Sequence, residues 1–147
     1  MSTYKRVDVF GGSKFSNMPS VKKYGDGRNF KPMEILSEYK FVLAAENCRR
    51  RGYLTEKLPE AMVSGGVPIY WGDPDVALSF NPRRFVNVSD HDCLDKMVDW
   101  VVALDRDDSR YNAMTSEHPF GDWLPPVWFG TGRKVRMGFE IFGSPYA

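Results

Sequence analysis

"KFVLAAENCRRRGYLTEKLPEAMVSGGVPIYW", residues 40–71, sets two apolar runs on either side of a polar loop and a short amphipathic segment. Lys40 to Glu46 is nearly continuously apolar, the pattern of a strand covered on both faces of a parallel sheet. Thr55 stands where a helix N-cap is expected, Glu56 and Glu60 follow near the positive end of the helix, and Gly65-Gly66 stops it after about two and a half turns. Pro59 falls early enough in that helix to be tolerated. Val67 to Trp71 is a second β-prone run, broken by "GDPD" at 72–75. Strand, helix and strand joined by short loops make a parallel βαβ unit, which predicts an α/β fold with right-handed crossovers.

The same alternation extends in both directions. Lys5 to Phe10 is short, β-prone and closed by Gly11-Gly12, so it reads as a strand. Residues 13–31 are polar and read as loop, and Pro32 opens a short helix through "PMEILSEY". Downstream, Arg84 to Val88 is a further strand. Residues 89–108 open with Ser89 and Asp90 as capping residues and place Leu94, Met97, Val98, Val101 and Val102 at spacings of three and four, which predicts an amphipathic helix. Asp92, Asp95 and Asp99 fall on its polar face, and a second short helix is expected over 109–117. From 118 to 147 the chain is rich in Pro, Gly and aromatics, a tail expected to pack on the domain or on a partner.

Bulk properties restrict the function classes. The 147 residues suit one domain, here 1–117, and 20 basic against 19 acidic side chains give a net charge of +1. No global field draws such a chain onto nucleic acid, so any electrostatic role is local. The chain has no apolar run near the roughly 18 residues of a membrane span, and its first ten residues have no signal-peptide core. Cys48 and Cys93 lack metal-type spacing and are expected to be free thiols.

Ligands of parallel α/β sheets collect at the carboxyl ends of the strands, where the loop Asn47–Tyr53 and the start of the Thr55 helix are expected. A helix start carrying Lys57 suits an anion such as a diphosphate. Glu56 can accept hydrogen bonds from a ribose diol, and Tyr53 can cover a ring or donate its hydroxyl. An ordinary capped, solvated helix start is the alternative reading of the same residues. Asp73 and Asp75 have Asp-x-Asp spacing but read as a solvated turn, and Arg49, Arg50 and Arg51 as a solvated charge run. His91 and His118 are isolated, "HDC" at 91–93 lacks metal-site geometry, and Met33, Met62 and Met97 read as core filler.

The order "YKFVLAAEN", "GYLTEK", "VPIYWGDPDVALSFNPRRFVNV" resembles the C-terminal signature of the α1,3-fucosyltransferases of glycosyltransferase family 10, from about Tyr4 to about Val88. The resemblance implies a Rossmann-like parallel sheet with flanking helices, the C-terminal half of a two-domain GT-B-type glycosyltransferase that binds GDP-fucose as donor. It implies inverting transfer of fucose to a glycan hydroxyl with no obligatory metal. Carried over residue by residue, the donor-site positions are Asn47 near the fucose or phosphate, Tyr53 and Glu56 around the ribose, and Lys57 facing the diphosphate. The family's acceptor domain with its general base, and a first strand and helix with a diphosphate-binding arginine, are expected to lie outside these residues; a second chain or copy could supply them. Bacterial members of the family are cytoplasmic or peripheral and eukaryotic ones Golgi-lumenal, so the resemblance leaves the compartment open.

Overall fold

The computed structural model describes residues 4–5, 7–10, 21–22 and 35–120. Two short strands, β1 (Val9–Phe10) and β2 (Val21–Lys22), pair in parallel. A three-stranded parallel sheet follows, ordered β3 (Phe41–Ala45), β4 (Val67–Trp71) and β5 (Val86–Asn87). Helix α1 (Lys57–Val63) links β3 to β4, and α2 (Leu94–Asp105) and α3 (Asp108–Ser116) follow β5. β1 lies inside the expected strand, whereas β2 falls in a stretch read as loop. Two residues are too few to show a period of two.

Side-chain alternation on the central strand divides the core. Tyr70 of β4 packs with Val42, Ala44, Leu58, Ala61 and Met62 on the α1 side. Val67 and Ile69 pack with Val86, Met97, Val101 and Leu104 on the α2 side. β4 is thus covered on both faces. β3 is not: Val42 and Ala44 are buried but Leu43 is 71 % exposed. A continuous apolar run cannot report which face a neighbour covers, so the expected double burial of β3 fails on this point.

The helices match the expected positions with shifted ends. On α2, Met97 and Val101 are buried as expected, Leu94 is exposed at the N-terminal end, and Leu104, one turn beyond the pattern, is buried. Ser89 and Asp90 do not cap α2: they belong to a 3-10 turn over Val88–Asp90, and Cys93 takes the cap position without a side-chain bond. The Asn87 side chain accepts from the Ser89 amide and starts that turn. α3 is capped by Asp107, which accepts from the Arg110 amide at 3.0 Å. Residues 35–36 are helical, in line with the expected Pro32 helix, and Pro32 and Met33 lie outside the described residues, as does the tail from 121. Before it leaves the described part, Phe120 stacks on Phe80 with ring centroids 5.3 Å apart.

Arg84 is fully buried. Its terminal nitrogens donate to Gly66 O at 2.9 Å and Met62 O at 3.0 Å, holding the end of α1 and the turn into β4. Its Nε has no partner, and burial pulls the guanidinium pKa down from its usual value. The sequence places Arg84 at the head of a strand, but it sits in a 3-10 turn over Pro82–Arg84 that Asn81 caps.

At the edge of the sheet opposite the carboxyl ends, Asp105 collects Lys5 at 2.6 Å, Tyr4 at 3.0 Å and Lys40 at 3.5 Å. Burial works to raise the Asp105 pKa, but the bonds from Lys5 and Tyr4 and the charges of Lys5 and Lys40 outweigh it, and the net direction is down. An unfolded aspartate takes up its proton near about pH 3.9. Folded Asp105 takes it up only at lower pH, so through that window the unfolded state binds more protons and acid favours it. The melting temperature is therefore expected to drop as pH falls below about 4, and Asp105→Asn flattens that drop in a thermal melt series. An unchanged acid limb in the Asn variant rules out this role.

Candidate functional site

The carboxyl end of β3 runs into Glu46, whose carboxylate is the anchor of the loop that follows. Its side chain is 0 % exposed. Oε1 accepts from the Thr55 amide at 2.8 Å, and both oxygens accept from the Thr55 hydroxyl, at 3.1 and 2.8 Å. Residues 46 and 55 are thereby clamped together, and Gly52, at φ +73, makes the left-handed turn that the loop between them requires. Below the clamp, Gly72 fits because it has no side chain: a Cβ there would lie 2.4 Å from Glu46 Cγ and 2.6 Å from the Tyr70 hydroxyl. That hydroxyl accepts from the Asp73 amide at 2.8 Å, so the ends of β3 and β4 are locked to each other through the same few groups.

The clamp corrects the expected capping. Thr55 does not cap α1: its hydroxyl and amide are both held by the Glu46 carboxylate, and the cap position falls one residue later. Glu56 takes the cap position with helical torsions, φ −62 and ψ −17, and makes no side-chain cap bond. α1 is also shorter than expected, seven residues. A helix this short contributes little dipole, and Lys57 is the cation at its first position.

Of the four predicted residues, the structure brings two into contact. Lys57 Nζ donates to Asn47 Oδ1 at 3.1 Å, joining the two ends of the loop. The same ammonium stands 3.5 Å from Glu46 Oε2, longer than the ~2.7–2.9 Å of a strong charged hydrogen bond. The Lys57 side chain keeps 32 % of its surface in solvent, so the pair is loose enough to open. Tyr53 is half-buried with its amide donating to Arg50 O at 3.1 Å, and Glu56 is exposed; neither side chain bonds to Asn47 or Lys57. All four lie on the loop and first turn that leave β3, at the carboxyl edge of the sheet. An open groove of about 460 Å³ lies elsewhere, along β5 with Trp100 and Leu104 of α2 and Met114 of α3. None of the four lines it.

The other polar candidates resolve into local structure. Asp73 is buried, not solvated as expected, and its Oδ1 accepts from the Asp75 amide at 2.9 Å. Asp75 meets Arg51 at 3.4 Å, an exposed ion pair of small energetic weight. Arg49 and Arg50 are exposed, and Cys48 and Cys93 are free and exposed. His118 Nδ1 accepts from the Phe120 amide at 3.3 Å, and His91 meets the ring of Trp100 edge-on. Among the described residues no group of three or more His, Cys, Asp or Glu is placed to hold a metal, and no helix is long and apolar enough to cross a membrane.

An open parallel sheet with flanking helices, carrying its polar loop at the carboxyl edge, is the architecture of a GT-B-type glycosyltransferase half. Sequence comparison makes the assignment specific. The chain belongs to glycosyltransferase family 10, the fucosyltransferases, whose C-terminal model matches residues 1–116. It is 45 % identical over 109 residues to the alpha-(1,3)-fucosyltransferase FucT of Helicobacter pylori, covering 74 % of this chain and 23 % of that protein. It is 37 % identical over 123 residues to GDP-fucose protein O-fucosyltransferase 3 of Bos taurus, covering 77 % of this chain and 24 % of that one. A solved α1,3-fucosyltransferase with GDP-fucose superposes at a TM-score of 0.63 and 37 % identity, over 75 % of this chain and 34 % of that chain. The chain thus spans about a quarter of the length of these curated relatives.

Two residues that organise the site went unassigned in the sequence. Glu46 is visible there only as the acid that closes an apolar run, and its bonds to Thr55 span nine positions that no local period connects. Arg84 looks like any charged residue beginning a strand.

Proposed function

We propose that these residues form the donor-binding part of an inverting fucosyltransferase. GDP-fucose lies across the carboxyl edge of the sheet, with its diphosphate at Lys57, its ribose at Glu56 and Tyr53, and Asn47 beside the sugar–phosphate linkage. The observation that carries this reading is the Lys57–Asn47 contact at 3.1 Å. It puts a cation and an amide side by side on one edge, within the segment that matches the fucosyltransferase model.

The chemistry asks for such a pair. An acceptor hydroxyl oxygen attacks C1 of fucose from the face opposite GDP, the C1–O bond to phosphate breaks, and negative charge grows on the departing diphosphate. A cation already in place stabilises that state more than the ground state, which is what accelerates the step. The proton of the acceptor hydroxyl goes to a carboxylate base that this reading assigns to the acceptor domain of the two-domain architecture. The acceptor is a glycan hydroxyl, and complete transfer needs both halves.

Titration calorimetry of the purified chain with GDP-fucose, GDP-mannose and UDP-galactose tests the proposal. Binding of GDP-fucose in clear preference to both others is expected. Equal heats for the three, or none, contradict it.

A further inference from the structure

Glu46 does more than hold a loop. Its carboxylate is wholly buried, and the Thr55 bonds engage both oxygens. The second oxygen, Oε2, is also the one turned to Lys57, 3.5 Å from Nζ. A buried carboxylate beside an anion site is costly for the anion: it repels a diphosphate directly and competes for the same ammonium. An uncharged acceptor could still take both Thr55 bonds, though more weakly.

Resting on the donor-site reading above, we propose that Glu46 is a positioning residue. It is the resident counter-ion of Lys57, which holds the ammonium at the sheet edge in the empty site and limits how tightly the diphosphate is gripped once it arrives. Nucleotide binding then exchanges one partner for another: Lys57 leaves Glu46 Oε2 for phosphate oxygen, and on product release it returns. The exchange keeps GDP from being held too long after the sugar has gone.

Glu46→Gln separates charge from architecture. The amide oxygen still accepts from the Thr55 amide and hydroxyl, while the amide nitrogen now turned to Lys57 repels the ammonium toward the ligand. The variant is expected to bind GDP about tenfold more tightly than the wild type, with guanosine binding unchanged in a parallel NMR titration. A merely structural Glu46 moves both ligands together, so equal changes for GDP and guanosine, or GDP binding no tighter, overturn the proposal. Should the variant fail to fold, the wild-type chain gives the answer with carboxyl-labelled glutamate. The Glu46 carbon resonance shifts when GDP is added but not with guanosine if the pair opens, and it stays put if the proposal is wrong. Absence of any GDP binding by the wild type defeats the donor-site reading itself, a result distinct from both.

Discussion

Lys57→Ala abolishes detectable GDP binding in calorimetry while the melting temperature stays close to that of the wild type. The contrast follows from magnitudes. An ammonium about 4 Å from a phosphate charge contributes about 4 kcal/mol at an effective dielectric of about 20, nearly three powers of ten in affinity. The same ammonium in its free-state pair is partly solvated and, at 3.5 Å from Glu46, makes no short charged hydrogen bond to it. Removing it leaves the three Thr55–Glu46 hydrogen bonds in place, so the loop has no reason to unravel. In a transferase assembled from both halves, the variant's rate is expected to fall by about two to three powers of ten, since Lys57 meets charge that grows as the sugar leaves. Unchanged affinity for GDP removes Lys57 from the site.

The second large effect concerns stability. Arg84→Ala deletes two charge-assisted bonds, takes the guanidinium donor from Gly66 O, leaves Met62 O only the Gly65 amide at 3.2 Å, and opens a void where the buried side chain was. The two lost charge-assisted bonds and the void together cost about 3–5 kcal/mol. In a domain of this size that is a fall of roughly 10–20 °C in melting temperature. Arg84→Met tells the parts of this cost apart. It keeps most of the volume and removes a charge that burial already penalises, so it costs distinctly less than the alanine variant. A melting temperature for Arg84→Ala within about 2 °C of the wild type contradicts the role given to the guanidinium. Because Arg84 holds the far end of α1, the loss also loosens the helix whose first residue is Lys57.

The sheet was legible where periodicity is strong. Val67–Trp71 is a strand where its β-prone run expects one, and α2 sits on Met97 and Val101, because spacings of three and four mark the buried face of a helix. β3 shows the limit of that signal: Leu43 belongs to an apolar run yet faces solvent, since the sequence records side-chain character and not the presence of a neighbour. Cap positions failed for a different reason. Thr55 and Ser89 are good N-cap residues, but competing partners, the Glu46 carboxylate and a 3-10 turn begun by Asn87, claimed them first. The candidate site was readable as a set, Asn47, Tyr53, Glu56 and Lys57 on one loop, through local spacing and the family's order of motifs. Glu46 and Arg84 were not, because their partners lie nine, eighteen and twenty-two positions away.

A crystal structure of the chain soaked with GDP asks the question most directly. The account predicts diphosphate oxygens within about 3 Å of Lys57 Nζ, with the ammonium drawn away from Glu46 and the ribose beside Glu56 and Tyr53. Nucleotide seated elsewhere, for example in the groove along β5, with Lys57 still on Glu46 and Asn47, contradicts it.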